Sequence, residues 1–358
     1  MGRRNQVTIH QIASVAGVSA QTVSRVINDH PDVAPETRAR VQMLIERMGY
    51  RPNAIARSLV HQRSYTLGVV TAQIDYYGPS HTLVGIEEEI RALGYSLLLD
   101  LLHHPEAEDV DQLLNRLLSH QVDGILWAVP EIGSNRVRLG RETARLHVPI
   151  VYLSMHPQTG LPVVAVDNYR GGRLAAEHLI AQGRRKVGII SGPKRWWESR
   201  ERVRGCLDAL RASRLSADER QVVEGDWSAG SGERGFLQLL AQFPQVDAVF
   251  SCNDQMALGL LKTAHRQGLR VPEDLAVVGF DNIPESAYFS PPLTTVEQHL
   301  VDLGSAAVRE LDRMIRAAQD NENYQPECIA IQPELVIRES SVFSKNGSIN
   351  NGEFLAQM

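Results

Sequence analysis

The sequence predicts two parts: a small all-α head and a larger α/β part built as two lobes. Short helices with recognisable caps fill the first 50 residues, and apolar strands alternate with helices from Thr66 onward. The charge also changes sign, because residues 1–63 hold nine arginines, no lysine and four acidic residues, whereas the whole 358-residue chain carries −5. A basic head on an acidic body is suited to a polyanionic partner.

The first two helices are predicted to form a helix-turn-helix. Thr8 followed three residues later by Gln11 is a capping-box pattern that opens a helix. Gly17 permits a tight turn, and Ser19 is a good N-cap for a second helix running from about Ala20 to Asn28. Two short helices joined by a three-residue turn that contains glycine are typical of this motif.

The outward face of the second helix carries polar side chains that can read bases. Gln21 and Arg25 are four residues apart, so they lie along one face. Arginine can hold guanine O6 and N7 together, and glutamine can hold adenine N6 and N7. The alternative is an ordinary solvated helix face, which the spacing alone does not exclude.

A third helix is predicted from Pro35 to Met48, ending at Gly49. Pro52 then breaks the chain, and Asn53 can cap a further short helix. A lone helix of about eight residues is marginal in water without further contacts.

From Thr66 the chain reads as repeated strand–helix units. Apolar runs include 67–70, 96–99, 124–127, 149–152, 187–190, 248–250 and 275–279, and intervening helices include 81–93, 110–120, 171–182 and 254–267. This alternation predicts parallel sheets covered by helices. About 275 residues exceed what one such sheet needs, so two lobes are expected, with a ligand cleft at the carboxyl ends of the strands.

Several classes of protein are disfavoured. No apolar run approaches the length of a membrane span, and no secretion signal follows the basic start, so we expect a cytoplasmic protein. Cys206, Cys252 and Cys328 match neither a disulfide framework nor a metal spacing, and no cofactor is expected. No nucleophile elbow, phosphate-binding loop or zinc-protease motif occurs, although a hydrolytic carboxylate pair in the cleft stays an alternative.

Two segments resemble the LacI family of bacterial regulators. They are VTIHQIASVAGVSAQTVSRVIN at 7–28 and GYRPNAIARSL at 49–59. The resemblance implies a DNA-binding repressor that binds a pseudo-palindromic operator as a homodimer, with Leu59 inserted into the minor groove. The DNA-binding residues that it implies, together with the helix reading above, are Thr8, Ser19, Ala20, Gln21, Thr22, Ser24, Arg25, Asn28, Asn53, Ala56 and Leu59. Ala20 offers only a methyl group, so no operator sequence can be carried over.

The resemblance continues to about Ser341, through motifs such as NDQMALG at 253–259 and GFDNIP at 279–284. It implies a periplasmic-binding-protein-like effector domain with a small molecule between its lobes. The expected divisions are a head at 1–50, a hinge at 51–64, an effector domain at 65–341 and a disordered tail at 342–358. Within that domain the expected N-lobe is 65–165 with 295–325, and the C-lobe is 166–294 with 326–341. The tail shows no leucine heptad, so a dimer is expected.

The effector is expected to be a sugar, and a purine or a partner protein stays the alternative. Trp227 offers a flat face to a sugar ring, while Arg200 and Asp281 can each form hydrogen bonds to two neighbouring hydroxyls. A core aromatic and a structural salt bridge are the ordinary alternatives for Trp227 and Asp281. The resemblance and the loop positions together mark as effector-binding Tyr76, Ala128, Asp167, Trp196, Arg200, Trp227, Asn253, Asp281 and Gln298. Asp167 is undecided, and Trp196 with Trp197 fits a sugar platform or a subunit contact equally.

Overall fold

The computed structural model describes residues 7–27, 30–50, 63–103, 110–133, 135–136, 139, 146–158 and 160–342. The chain divides into two compact units between Tyr65 and Thr66. The expectations for Asn28, Asn53, Ala56 and Leu59 and for the tail from 343 onward lie outside the described residues. Within those residues, no helix combines the length and the apolar character needed to span a membrane.

The head consists of three helices, α1 (Ile9–Ala16), α2 (Ala20–Ile27) and α3 (Pro35–Met48). The capping box is present, with the Gln11 backbone N–H donating to the Thr8 hydroxyl and the Gln11 side chain accepting from the Thr8 N–H. Gly17 has a φ of +65°, the left-handed conformation that the tight turn requires. The three helices share one small core, whose fully buried members are Ile12, Val23 and Val41.

The first lobe is built on a sheet of six parallel strands in the order β11-β5-β4-β3-β1-β2. Its strands are β1 (Thr66–Ala72), β2 (Ser96–Leu102), β3 (Gly124–Ala128), β4 (Ile150–Leu153), β5 (Val163–Val166) and β11 (Ile329–Ile331). Its helices are α4 (Tyr77–Ala92), α5 (Val110–Ser119) and α10 (Leu300–Gln319). Helices on both faces bury the central strands completely, which explains their continuous apolar runs.

The second lobe repeats this plan with the order β12-β10-β9-β8-β6-β7. Its strands are β6 (Val187–Ser191), β7 (Val222–Glu224), β8 (Ala248–Ser251), β9 (Ala276–Asp281), β10 (Thr294–Glu297) and β12 (Glu334–Val336). Its helices are α6 (Asn168–Ala181), α7 (Trp197–Ala212), α8 (Ala229–Gln242) and α9 (Asp254–Arg266). All strand pairs are parallel except β10 with β12.

The expected lobe boundaries were wrong at two strands. β10 was expected to belong largely to the first lobe, yet it pairs with β9 in the second, Thr294 opposite Val278. β11 was expected in the second lobe, yet it pairs with β5 in the first, Ile329 opposite Val164. The chain therefore crosses between the lobes after β5, β10 and β11. Short apolar strands do not reveal which sheet they join, because pairing is decided by residues distant in sequence.

Candidate functional site

The outer face of α2 carries exposed polar side chains. Gln21 and Arg25 are exposed on it, whereas Val23 and Val26 on the opposite side are buried in the core. Thr22 and Ser24 are partly buried, and Ala20 packs against the core of the head. The helix therefore presents two long side chains of the types that read adenine and guanine edges.

The two predicted caps are engaged in holding the helices. The Ser19 hydroxyl accepts a hydrogen bond from the Thr22 N–H at 3.0 Å, and the two hydroxyls are 2.9 Å apart. Thr8 accepts from the Gln11 N–H at 3.3 Å. Both caps remain solvent-exposed, so they lie at helix N-termini that can also face phosphate oxygens.

A cavity of about 300 Å³ lies between the two lobes. The carboxyl ends of strands from both sheets meet there, as the sequence predicted. The first lobe, together with the segment after β10 that leads into α10, lines one side of the cavity. Its lining residues include Tyr76, Tyr77, Pro79, Ala128, Pro130, Ser154, Gln298 and Leu300. The second lobe contributes Trp196, Glu198, Arg202, Trp227, Asn253 and Asp281. Seven of the nine sequence-predicted effector residues therefore share one cavity.

The guanidinium of Arg202 is the central polar group of this cavity. Its Nε donates to Asn168 Oδ1 at 2.7 Å, its Nη1 to the Cys252 carbonyl at 2.7 Å, and its Nη2 to Gln298 Oε1 at 3.1 Å. The group lies 3.8 Å over the Phe280 ring, and it is almost fully buried. Three directed bonds and a packed ring leave the guanidinium little freedom to move.

Asp281 ends β9 beside this guanidinium. Its Oδ1 accepts from Gln298 Nε2 at 2.5 Å and lies 3.7 Å from Arg202 Nη1. Burial raises the pKa of Asp281 to about 7, although Arg202 and Gln298 act in the opposite direction. A backbone φ of +114° at a non-glycine residue aims this strand end into the cavity, a strain typical of functional sites.

Asp254 lies behind Asp281 and has a structural role. Its two carboxylate oxygens accept from the Thr295 hydroxyl at 2.6 Å and from the Ile283 N–H at 2.9 Å. Burial, and then the charge of Asp281, raise its pKa well above the ordinary value. The residue is completely buried and ties α9 to the turn after β9, so it does not reach the cavity.

Trp227 forms one wall of the cavity and is also part of the second lobe's core. Its indole packs against Gly192, where a Cβ would lie 2.1 Å from ring atoms, so only glycine allows this placement. The Trp227 indole N–H is buried and has no hydrogen-bond partner among the described residues. Asn253 donates to the Trp227 carbonyl at 3.0 Å and caps α9, which fixes this loop. The core and binding interpretations of Trp227 are thus compatible.

Trp196 and Trp197 have different roles. Trp196 lines the cavity, 5.7 Å from Trp227 and 6.0 Å from Tyr76, in edge-to-face contacts. Trp197, which begins α7 in the second lobe, is buried in the first lobe's core. Ile132 of the first lobe is buried in the second lobe's core in exchange. The platform hypothesis thus fits Trp196, and a surface contact with another subunit does not fit Trp197.

The exchange is stabilised by backbone pairing between the lobes. Ile132 and Trp196 form an antiparallel bridge. The Gly133 N–H donates to the Arg195 carbonyl and the Trp197 N–H to the Glu131 carbonyl, each at 3.0 Å. We call residues 131–133 with 195–197 the interlobe clasp. Trp196 therefore belongs both to the clasp and to the cavity wall.

Two predicted effector residues are placed elsewhere. Arg200 is half-exposed and donates to the carbonyls of Lys194 and Arg195, outside the cavity. Asp167 caps α6 by accepting from the Arg170 N–H at 2.8 Å. The arginine that lines the cavity is Arg202, so the prediction of Arg200 was wrong by half a helical turn. Glu198 and Arg202 are four residues apart and share the face of α7 that points into the cavity. The sequence reasoning missed both, although their i,i+4 spacing was visible.

A helix-turn-helix head followed by a two-lobed α/β domain with a polar cavity defines a ligand-responsive DNA-binding regulator. Residues 8–53 match the profile of bacterial regulatory proteins of the lacI family, and residues 176–341 match that of a periplasmic binding protein-like domain. The protein belongs to the LacI family. Three predictions are confirmed. The protein is a DNA-binding transcriptional repressor rather than an enzyme, it binds its operator as a dimer, and it responds to a small-molecule effector.

Three relatives show how far the similarity extends. The PurR repressor of Haemophilus influenzae is 34% identical over 336 residues, which is 93% of this chain and 98% of that protein. The lactose operon repressor of Escherichia coli is 32% identical over 313 residues, 87% of this chain and 85% of that protein. Catabolite control protein A of Priestia megaterium is 35% identical over 309 residues, 86% and 92% of the two chains.

Solved structures match over the same length. The lac repressor dimer bound to operator and the anti-inducer ONPF has a TM-score of 0.84 at 30% identity, and the match covers 95% of this chain and 100% of that one. The transcriptional regulator CelR in complex with cellobiose has a TM-score of 0.70 at 30% identity, covering 94% and 100%. Both matches include the head and the two-lobed domain.

Proposed function

We propose that the effector of this repressor is a neutral sugar or glycoside, bound in the cavity between the lobes. The observation that carries the proposal is the pairing of an indole face, Trp227, with a compact polar group of Arg202, Asp281, Gln298 and Asn253. A sugar ring has an apolar C–H face and a rim of hydroxyls, so it needs both kinds of surface at once.

A purine is the second candidate, since the cavity is rich in aromatic rings. A flat base binds best in a slot between two parallel walls. The neighbouring rings here are nearly perpendicular, with 75° between Trp196 and Trp227 and 77° between Tyr76 and Trp196. Neither of these two ring pairs is a parallel stack, and the polar group of Arg202, Asp281 and Gln298 beside them suits the hydroxyl rim of a sugar.

For the head, we propose that Gln21 and Arg25 read base edges in the major groove. Both are exposed at one-turn spacing on α2, whose other face is buried. That arrangement suits the recognition helix of a helix-turn-helix.

Calorimetry on the full-length dimer tests the effector class. Cellobiose, lactose and methyl β-galactoside are titrated in parallel with hypoxanthine, guanine and adenine. We expect one of the sugars to bind, and Asp281→Ala to weaken that binding at least about tenfold, because its hydroxyl partners would be left unpaired. The matched control is Asp218→Asn, a surface carboxylate engaged by Arg220 and remote from the cavity lining. Tight binding of a purine, with no response to any sugar, would overturn the proposal.

A further inference from the structure

We infer that Asn168 is a positioning residue for Arg202, and that its side chain holds this guanidinium against the segment in which the chain crosses between the lobes. The inference rests on the proposed effector cavity, and it holds for a sugar and for a purine alike. Asn168 follows β5 of the first lobe and begins α6 of the second. It does not line the cavity, so it acts on a ligand only through Arg202.

Close packing of α6 against α7 brings the two side chains together. A Cβ at Gly172 would collide with the Arg202 carbonyl, and one at Gly205 would collide with the Tyr169 carbonyl. Only glycine at these two positions lets the helix backbones approach so closely. Gly172 is four residues after Asn168 on α6, so both lie on the face that meets α7.

The side-chain amide of Asn168 is engaged at both ends. Its Nδ2 donates to the carbonyl of Val166, the last residue of β5, at 3.1 Å. Its Oδ1 accepts from Arg202 Nε at 2.7 Å. The amide is almost fully buried, and it is not the cap of α6, because Asp167 already accepts from the Arg170 N–H. Its bonds therefore join the end of a first-lobe strand directly to the guanidinium.

Arg202 depends on this acceptor. A guanidinium has five N–H groups, and a buried one without a partner is costly. The Nε–H donates to Asn168, and the two Nη atoms donate to the Cys252 carbonyl and to Gln298. The remaining two N–H groups, one on each Nη, can donate to a ligand. Loss of the Asn168 oxygen removes the bond that fixes the Nε side, so these two donors are no longer held in place for the ligand.

The other interlobe crossings reach the same group. Gln298, which accepts from Arg202 Nη2, lies in the two-residue crossing between β10 and α10. The Asp167 N–H donates at 2.9 Å to the carbonyl of Ile331, where β11 ends at the third crossing. Residues from all three crossings are thus hydrogen-bonded in one group around Asn168 and Arg202.

Arginine-selective ¹⁵N NMR on the full-length, ligand-free protein tests the bond itself. The Arg202 Nε–H signal is assigned by its absence in Arg202→Lys. We expect this proton to exchange slowly with water in the unchanged protein, because it is buried and hydrogen-bonded. In Asn168→Ala the signal should shift and the proton should exchange at least about tenfold faster. An unshifted and equally protected signal overturns the inference.

Calorimetry with the sugars and purines of the effector titration measures the consequence for binding. Asn168→Ala should weaken the tightest of them at least about fivefold, because a charge-assisted bond to the guanidinium is lost. In the Arg202→Ala background the same change should alter affinity less than about twofold, and additive losses would overturn the inference. Asn168→Asp keeps an oxygen opposite Nε and should restore most of the affinity. Asn168→Ser, whose shorter side chain withdraws the oxygen, replaces Asn168→Ala if that variant does not fold.

The matched control is Gln221→Ala. Gln221 is a fully buried amide of the same lobe that donates to the Val187 carbonyl at 2.8 Å, at the end of β6 remote from the cavity. Its loss should lower the free energy of unfolding but leave the Arg202 signal and the effector affinity unchanged. Equal effects of Gln221→Ala and Asn168→Ala would mean a purely structural role and overturn the inference. If no sugar binds, the proposed effector class fails, whereas the NMR comparison still decides the role of Asn168.

Discussion

Asp281 should make the stability of the ligand-free protein depend on pH near neutrality. Its pKa is raised from 3.8 to about 7, chiefly by burial. An acid whose pKa is higher in the folded state than in the unfolded state stabilises the fold while it is protonated. This contribution is fully present below the unfolded-state pKa and is lost as the pH rises through the folded-state pKa. The loss therefore falls between about pH 4 and pH 7.

The size of the effect follows from the shift. About three pKa units at about 1.36 kcal/mol each set a limit of about 4 kcal/mol. Between pH 5 and pH 8 the corresponding loss is about 2–3 kcal/mol. Asp281→Asn keeps an oxygen that can accept the Gln298 hydrogen bond and removes the titration. The free energy of unfolding of the variant should therefore rise relative to that of the unchanged protein by about 2–3 kcal/mol between pH 5 and pH 8.

Urea unfolding followed by circular dichroism at both pH values measures this difference. Asp218→Asn serves as the control, because the Asp218 pKa is lowered by its bond to Arg220 and it stays ionised from pH 5 to pH 8. Parallel pH profiles for Asp281→Asn and the unchanged protein would refute the argument. They would show that the carboxylate is ionised throughout, with Arg202 outweighing burial.

Four further substitutions separate binding from structure. Arg25→Ala should cost about 1–3 kcal/mol of operator affinity and relax one base position, as measured by competition with single-base operator variants; a uniform loss would mean that Arg25 contacts only phosphate. Arg202→Ala should weaken effector binding in calorimetry at least about tenfold, whereas Arg200→Ala should change it less than about twofold; equal effects would contradict the placement of the two side chains. Trp197→Ala should lower the free energy of unfolding by about 3–5 kcal/mol in urea titrations, because it empties a site in the first lobe's core; a loss below about 1 kcal/mol would contradict its burial there.

Local patterns in the sequence predicted most of the secondary structure. The capping box of Thr8 and Gln11, the turn at Gly17 and the bounds of α3 from Pro35 to Met48 were all found where expected. Each of these depends on residues within about four positions of one another, so the information is present in a short segment. The apolar runs likewise predicted the central strands, since only strands covered on both faces need continuous apolar residues.

The site was predicted in part. Trp227, Asn253, Asp281 and Gln298 come from four separate segments of the chain and share one cavity, as the resemblance implied. Arg200 was chosen in place of Arg202 on the family resemblance, and charge alone does not tell which face of α7 points inward. Glu198 was missed for the same reason.

The sequence by itself determined the helix-turn-helix, the two-lobed α/β class and the chemistry available at the strand ends. Only the tertiary structure decided that β10 and β11 exchange lobes, that Arg202 is held by Asn168 across the second lobe, and that Ile132 and Trp197 cross the cleft into each other's cores. The physical reason is one of range. Helix caps and strand alternation are set by neighbours along the chain, whereas strand partners and interlobe packing are set by surfaces that meet only after the chain has folded.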